Sequence, residues 1–249
     1  MRGGVVYIHP FAEELNRSRR MAAQQARALA QAGYAVLQMD LDGCGDSTGE
    51  FGEARWASWV ADVALARQYL ADQLNCAPHT LWLWGLRAGC LLAAAVARDD
   101  PDAPAKLLFW QPVLSGQQHL TQFLRLKMAT DLVQGKRGGG AAGLAQQLAA
   151  GQAVEVGGYT LAPALANGLA LATLEALSPA SQVVCLEVSG TGGQPVSPAL
   201  AAQLARWQAA GYRATGQVIE GPLFWQLAES AACPALVAAS VDAIERGAA

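Results

Sequence analysis

A chain of 249 residues that is 53% hydrophobic and only 15% charged can bury one large core, which argues against a disordered segment. Its net charge of −3 offers no basic field to phosphate backbones and so argues against nucleic acid as a partner. Five scattered cysteines (Cys44, Cys76, Cys90, Cys185 and Cys233), odd in number and without a C-x-x-C pair, speak against a disulfide framework and a zinc site and suit a reducing cytoplasm.

Gly4 to His9 is a continuous apolar run of strand length, as in a strand buried on both faces of a parallel sheet. Arg17 to Ala32 reads as a helix ended by Gly33, and Tyr34 to Asp40 as the next buried strand. After a turn-rich loop, Asp42 to Gly49, the helical spacing of Trp56, Trp59, Val60, Val63, Leu70 and Leu74 predicts a crossover helix over Glu53 to Leu74. Thr80 to Ala97 then reads as a short strand, a Gly-bounded turn and a small-residue helix, and Lys106 to Pro112 as another strand. This alternation predicts an α/β class fold with a doubly wound, mainly parallel sheet of at least six strands.

From Val113 to Ser178 the alternation stops, and an inserted, mostly helical cap is expected over residues 113–178, with a Gly-rich joint at Gly138-Gly139-Gly140 and a hairpin near Val154 to Leu161. Within it the uncharged run Val156 to Leu174 is broken by Gly157-Gly158, Pro163 and Asn167, so no membrane span is read there. The core is expected over 1–112 and 179–249. Its later part resumes with a strand at Val183 to Ser189. Ser197 follows as N-cap and Pro198 as first helical residue of a helix to Ala210, with Gly211 beyond it. Thr215 to Glu220 is the last strand, and a helix starting near Pro234 ends the chain.

The turn at Gly85-Leu86-Arg87-Ala88-Gly89 has the G-x-S-x-G layout of a nucleophile elbow, with Arg in place of Ser. Arginine is protonated at any physiological pH and can neither attack a carbonyl nor take a proton. Its charge calls for an anion nearby. Glu13 and Glu14, placed in the loop after the first strand, are the first choice, with Asp42 and Asp46 after the second strand as further candidates; the alternative is an anionic ligand.

Five stretches carry a resemblance: HPFAEELNRSRRM (His9 to Met21), LQMDLDGCGDSTGEF (Leu37 to Phe51), LWLWGLRAGCLLA (Leu81 to Ala93), LFWQPVLSGQQHLTQFLRLKMA (Leu108 to Ala129) and EGPLFWQ (Glu220 to Gln226). The chain resembles an α/β-hydrolase, and within that superfamily it is similar to the exosortase A system-associated hydrolase 2 family. The resemblance implies a bacterial cytoplasmic protein linked to exosortase and exopolysaccharide gene sets. It also implies two further strands before Gly4, which places the expected start of the fold upstream of Met1. In this fold the acid loop reads G-x-x-D-x-x-V-x-P and the final loop G-x-H-F. Here Gly193 and Leu223 stand where the carboxylate and the imidazole belong.

A rebuilt site from His9 and Cys44, at the ends of the first two strands, is the alternative that keeps hydrolase activity. Cys90 reads as a packing residue, and Ser115 and His119 as solvated cap surface. Trp84, Trp110 and Trp225, with Leu223 and Phe224, are expected to make an aromatic pocket, Trp84 and Trp110 each having an equal claim to be core. The set expected around the ligand is therefore Arg87, His9, Phe11, Glu13, Glu14, Asp42, Cys44, Leu86, Trp110, Leu223 and Trp225. No cofactor or metal is expected. The ligand is a small anionic or amphipathic molecule, or the partner a protein of the exosortase system.

Overall fold

The computed structural model describes residues 1–98, 105–133, 140–174, 181–229 and 231–247. The strands are β1 (Gly3–Ile8), β2 (Tyr34–Gln38), β3 (Trp82–Leu86), β4 (Lys106–Trp110), β5 (Val154–Val156), β6 (Tyr159–Leu161), β7 (Gln182–Ser189) and β8 (Arg213–Glu220). The helices are α1 (Glu13–Gln31), α2 (Trp56–Leu74), α3 (Gly89–Arg98), α4 (Gly116–Val133), α5 (Gly140–Ala149), α6 (Pro163–Leu171), α7 (Pro198–Ala209) and α8 (Pro234–Arg246).

Six strands form one sheet in the order β2-β1-β3-β4-β7-β8, and every pairing in it is parallel. The order doubles back at β1, so β3 is central and its C-terminal end lies at the switch point where open α/β sheets bind ligands. Alternate strand residues, among them Val5, Tyr7, Trp82, Trp84, Leu86, Leu108, Trp110, Leu186 and Ile219, join Met21, Ala22 and Leu29 of α1 and Leu236, Ala243 and Ile244 of α8 in one buried cluster. This period of two is what a strand covered by helices requires. Its consequence is that Trp84 and Trp110, both wholly buried, are core and not pocket lining, which corrects the aromatic pocket expected from their position at strand ends. Trp225 is 1% exposed and belongs to the same cluster.

Contacts divide the chain into two compact units: residues Met1–Met39, Val63–Leu114 and Leu174–Ala249, and residues Asp40–Asp62 with Ser115–Thr173. The second unit therefore takes in the loop after β2 as well as α4, α5, α6 and the antiparallel pair β5–β6. In it, Phe51 packs edge-on against Tyr159, and Trp59 donates its indole N–H to the Asp42 carbonyl at 2.9 Å. His119 is 5% exposed, so the solvated surface expected for it is wrong: its face of α4 is buried. Gly138 and Gly139 of the Gly-rich joint lie outside the described residues, while Gly140 opens α5. Among the described residues no helix is long and apolar enough to cross a membrane.

Two boundaries differ from the sequence reading for a backbone reason. Ala12 takes φ 50° and ψ −126°, a turn that redirects the chain at once, so α1 begins at Glu13 and places Glu13 and Glu14 in its first turn instead of a loop. Ala54, at φ −59° and ψ 148°, interrupts what reads as one helix, leaving a single 3-10 turn over Phe51–Glu53 before α2. Where local chemistry sets the boundary the agreement is close, as at Ser197, whose hydroxyl accepts from the Leu200 N–H, followed by Pro198 as the first residue of α7.

The β3–α3 turn is held by close backbone approach. A Cβ on Gly89 would stand 2.3 Å from the Ile8 carbonyl oxygen, and one on Gly85 would stand 2.6 Å from the Cys90 nitrogen. Backbone atoms cannot swing aside as a flexible side chain can. Gly89→Ala is expected to destabilise the protein by about 1–3 kcal/mol. Gly190→Ala, where a Cβ meets nothing within 4 Å, should move the urea midpoint little, and equal midpoints for the two variants would contradict this packing.

Candidate functional site at the β3–α3 turn

Arg87 sits at the tip of the turn with φ 55°, a left-handed conformation that costs a non-glycine residue about 1–2 kcal/mol. The surrounding hydrogen bonds hold it there. Its N–H donates to the Trp110 carbonyl at 3.0 Å, and its own carbonyl accepts from the Cys90 N–H at 3.1 Å as α3 begins. The side chain is thereby delivered to the carboxyl end of the sheet, beside the positive end of α3.

Its partner comes from α1. The Arg87 Nε donates to Glu14 Oε1 at 3.0 Å, with the two side chains 16% and 11% exposed. Of the four acids expected as candidates, Glu14 is the one in contact, because the early start of α1 turns it toward the elbow. The contact is single. Glu14 Oε2 is buried without a hydrogen-bond partner, and the two terminal nitrogens of Arg87 are neither bonded among the described residues nor buried. Beneath the guanidinium lies the Trp225 ring, its centroid 5.9 Å from Cζ, a cation–π contact that fixes the plane of the fork.

Burial pushes the Glu14 carboxyl up from its ordinary value, and Glu13 adds to this, while Arg87 and, more weakly, Arg17 pull it down. The net direction is upward because a carboxylate in low dielectric needs more than one hydrogen bond to recover its lost hydration. The same burial makes the neighbouring thiols inert. Cys90, whose Sγ lies 3.3 Å from the Gly85 carbonyl, has its pKa raised well above normal, chiefly by desolvation, and Cys185 is raised for the same reason.

The other predicted residues are distributed as follows. Gly193 lies in the exposed loop after β7 with φ 73°; two carboxylates border that loop, Glu220, whose Oε2 would stand 2.5 Å from a Cβ on Gly192, and Glu187, which accepts from the Ser197 N–H and hydroxyl at 2.6 Å each. Leu223 follows β8 and packs, half-buried, on the core cluster. His9 is buried at the end of β1, its Nδ1 2.8 Å from the Pro10 carbonyl oxygen, and Phe11 and Leu86 are buried core residues. Cys44 and Asp42 belong to the second unit, where the Cys44 N–H donates to the Leu41 carbonyl and the Asp42 N–H to Asp62. Ser47 donates to the Asp40 carbonyl. Among the described residues no group of three or more His, Cys, Asp or Glu side chains is placed to hold a metal ion. Sequence reasoning missed Gln111, at φ 44°, whose N–H donates to Leu186 and whose side-chain oxygen accepts from the Val188 N–H, clamping the end of β4 to β7. Its one sequence signal is a polar residue closing a buried strand.

Residues 1–152 match the family model described as serine aminopeptidase, S33. The chain belongs to that family. The match takes in Arg87 and ends before Gly193 and Leu223. No curated protein matches. Similar solved structures include Est1E from Butyrivibrio proteoclasticus with ferulic acid bound, at TM-score 0.64 and 15% identity over 98% of this chain and 87% of that one. An α/β-hydrolase from Vibrio vulnificus aligns at TM-score 0.59 and 17% identity over 98% and 73%. The RedJ thioesterase of the prodiginine pathway in Streptomyces coelicolor aligns at 0.53 and 17% over 97% and 86%. At these identities the likeness establishes the α/β-hydrolase fold.

The ion pair makes stability pH-dependent in a definite sense. Glu14 is raised in the folded state, so its contribution is fully present below the unfolded value of 4.5 and is lost as pH rises through the higher folded value. Arg87→Ala removes the main downward influence and extends that loss to higher pH. The variant is expected to be less stable by about 1–3 kcal/mol near neutral pH, and by less at a pH low enough to protonate Glu14. Urea denaturation of both proteins at the two pH values checks this, and a pH-independent difference would contradict it.

Proposed function

We propose that this S33-family chain binds a small anionic or amphipathic ligand at Arg87 and does not carry out Ser-His-Asp acyl transfer. One observation carries the reading: the elbow that presents a nucleophile in hydrolases presents here a permanently charged guanidinium hydrogen-bonded to Glu14. A side chain that cannot lose its proton cannot form an acyl-enzyme, whereas it recognises anions well. Gly193 and Leu223 support the same reading, since neither side chain can orient or transfer a proton. The esterase and thioesterase neighbours share the scaffold, and a scaffold does not transmit a reaction. Est1E with ferulic acid bound is a case of this fold accommodating a carboxylic acid. The similarity of the five quoted stretches to the exosortase A system-associated hydrolase 2 family supports a bacterial cytoplasmic setting in an exopolysaccharide or protein-sorting context, with a protein of that system as the alternative ligand.

Purified protein is expected to hydrolyse short p-nitrophenyl esters and acyl thioesters no faster than buffer. A fluorophosphonate probe should leave every serine unlabelled, and iodoacetamide should modify the exposed Cys76 and spare the buried Cys90 and Cys185. Turnover abolished by Cys44→Ala or His9→Ala would instead establish a rebuilt hydrolase site.

A further inference from the structure

The half-used guanidinium points to a specific ligand class, an inference that rests on the anion-binding reading above. We propose that the free edge of Arg87 is a site for a monovalent carboxylate with an apolar body, which binds beside Glu14 and draws one proton onto it.

The geometry defines the edge. With Nε engaged by Glu14 Oε1, the terminal nitrogens remain as two parallel donors reachable from solvent. Two coplanar donors match the two oxygens of a carboxylate. The fork is fixed before a ligand arrives: the left-handed backbone at Arg87, the Nε bond and the Trp225 ring set its position and plane. Little conformational freedom is then lost on binding. Leu223, where a hydrolase of this fold keeps its histidine, offers apolar surface instead of a hydrogen-bonding group.

Charge counting selects a monoanion. One guanidinium and the partial positive ends of α1 and α3 face one carboxylate, Glu14, so a second single negative charge is tolerated and a dianion less so. The charged groups around Glu14 are Arg87 from the turn, and Glu13 and Arg17 from α1. A second carboxylate on the same guanidinium repels Glu14. Its unpartnered, buried Oε2 is the atom that accepts the proton, which removes the repulsion. The balance is one ligand anion plus one proton taken from buffer, with no bond to carbon made or broken.

Isothermal titration with octanoate, with the neutral isostere octanol and with inorganic phosphate tests the proposal at about pH 6 and about pH 8. Octanoate should bind several-fold more tightly at the lower pH, with a heat that depends on the buffer's ionisation enthalpy, while octanol should not bind. Arg87→Ala should weaken octanoate about ten- to a hundredfold, and Arg87→Lys, which keeps the charge but not the fork, should weaken it too if the alanine variant does not fold. Glu14→Gln should raise the affinity at the higher pH and abolish both the pH dependence and the buffer dependence. Octanoate binding unchanged by either Arg87 variant, or matched by octanol, would overturn the proposal. Phosphate binding without octanoate binding would overturn the carboxylate class and leave the anion-binding reading standing. Absence of binding by either anion would remove both.

Discussion

The Arg87–Glu14 ion pair is the interaction on which the site depends. It ties the elbow, built from β3 and α3, to the first turn of α1, and it occupies the turn in which hydrolases of this fold hold their nucleophile. The local backbone is strained to do this: a non-glycine residue stands at φ 55° at the tip, and another at φ 50° just before α1. Such strain persists where the surroundings over-determine it, and here the Gly85 and Gly89 contacts and the hydrogen bonds to Trp110 and Cys90 do so.

The electrostatics are asymmetric. A bidentate pair would satisfy both carboxylate oxygens, yet only Oε1 is bonded and burial raises the carboxyl's affinity for its proton. A buried pair of this kind is weak evidence for stability, because removing charges from water costs about as much as their attraction returns. Its physical effect is positional. It immobilises a cation with one edge engaged and one edge free, which a fully matched salt bridge would not do. The Trp225 face beneath and the helix ends beside it complete a setting suited to anions and unsuited to a nucleophile.

Much of the fold was legible in the sequence because the signals were local. Short apolar runs between helical patterns give the parallel strands, the Ser197-Pro198 pair gives the start of α7, and Gly157-Gly158 between two short β segments gives the β5–β6 pair. The early start of α1 was not legible, since it depends on the backbone conformation of Ala12, for which alanine carries no signal. That conformation is also what turns Glu14 toward Arg87, so the identity of the partner could be narrowed by sequence only to neighbouring acids. Trp84 and Trp110 illustrate a second limit. In a strand covered on both faces, periodicity does not separate a core-facing from a cleft-facing side chain, and both proved to be core. His119 illustrates a third, because the buried face of a cap helix is set by the elements around it and not by its own pattern.

The claim that the elbow holds an ion pair where hydrolases hold a nucleophile is tested most directly by a double-mutant cycle. Unfolding free energies of the wild type, Arg87→Ala, Glu14→Gln and the double variant, measured near neutral pH, should give a coupling energy of about 0.5–3 kcal/mol between the two positions. A coupling indistinguishable from zero would mean that Arg87 and Glu14 do not interact in solution, and the account of the site would be wrong.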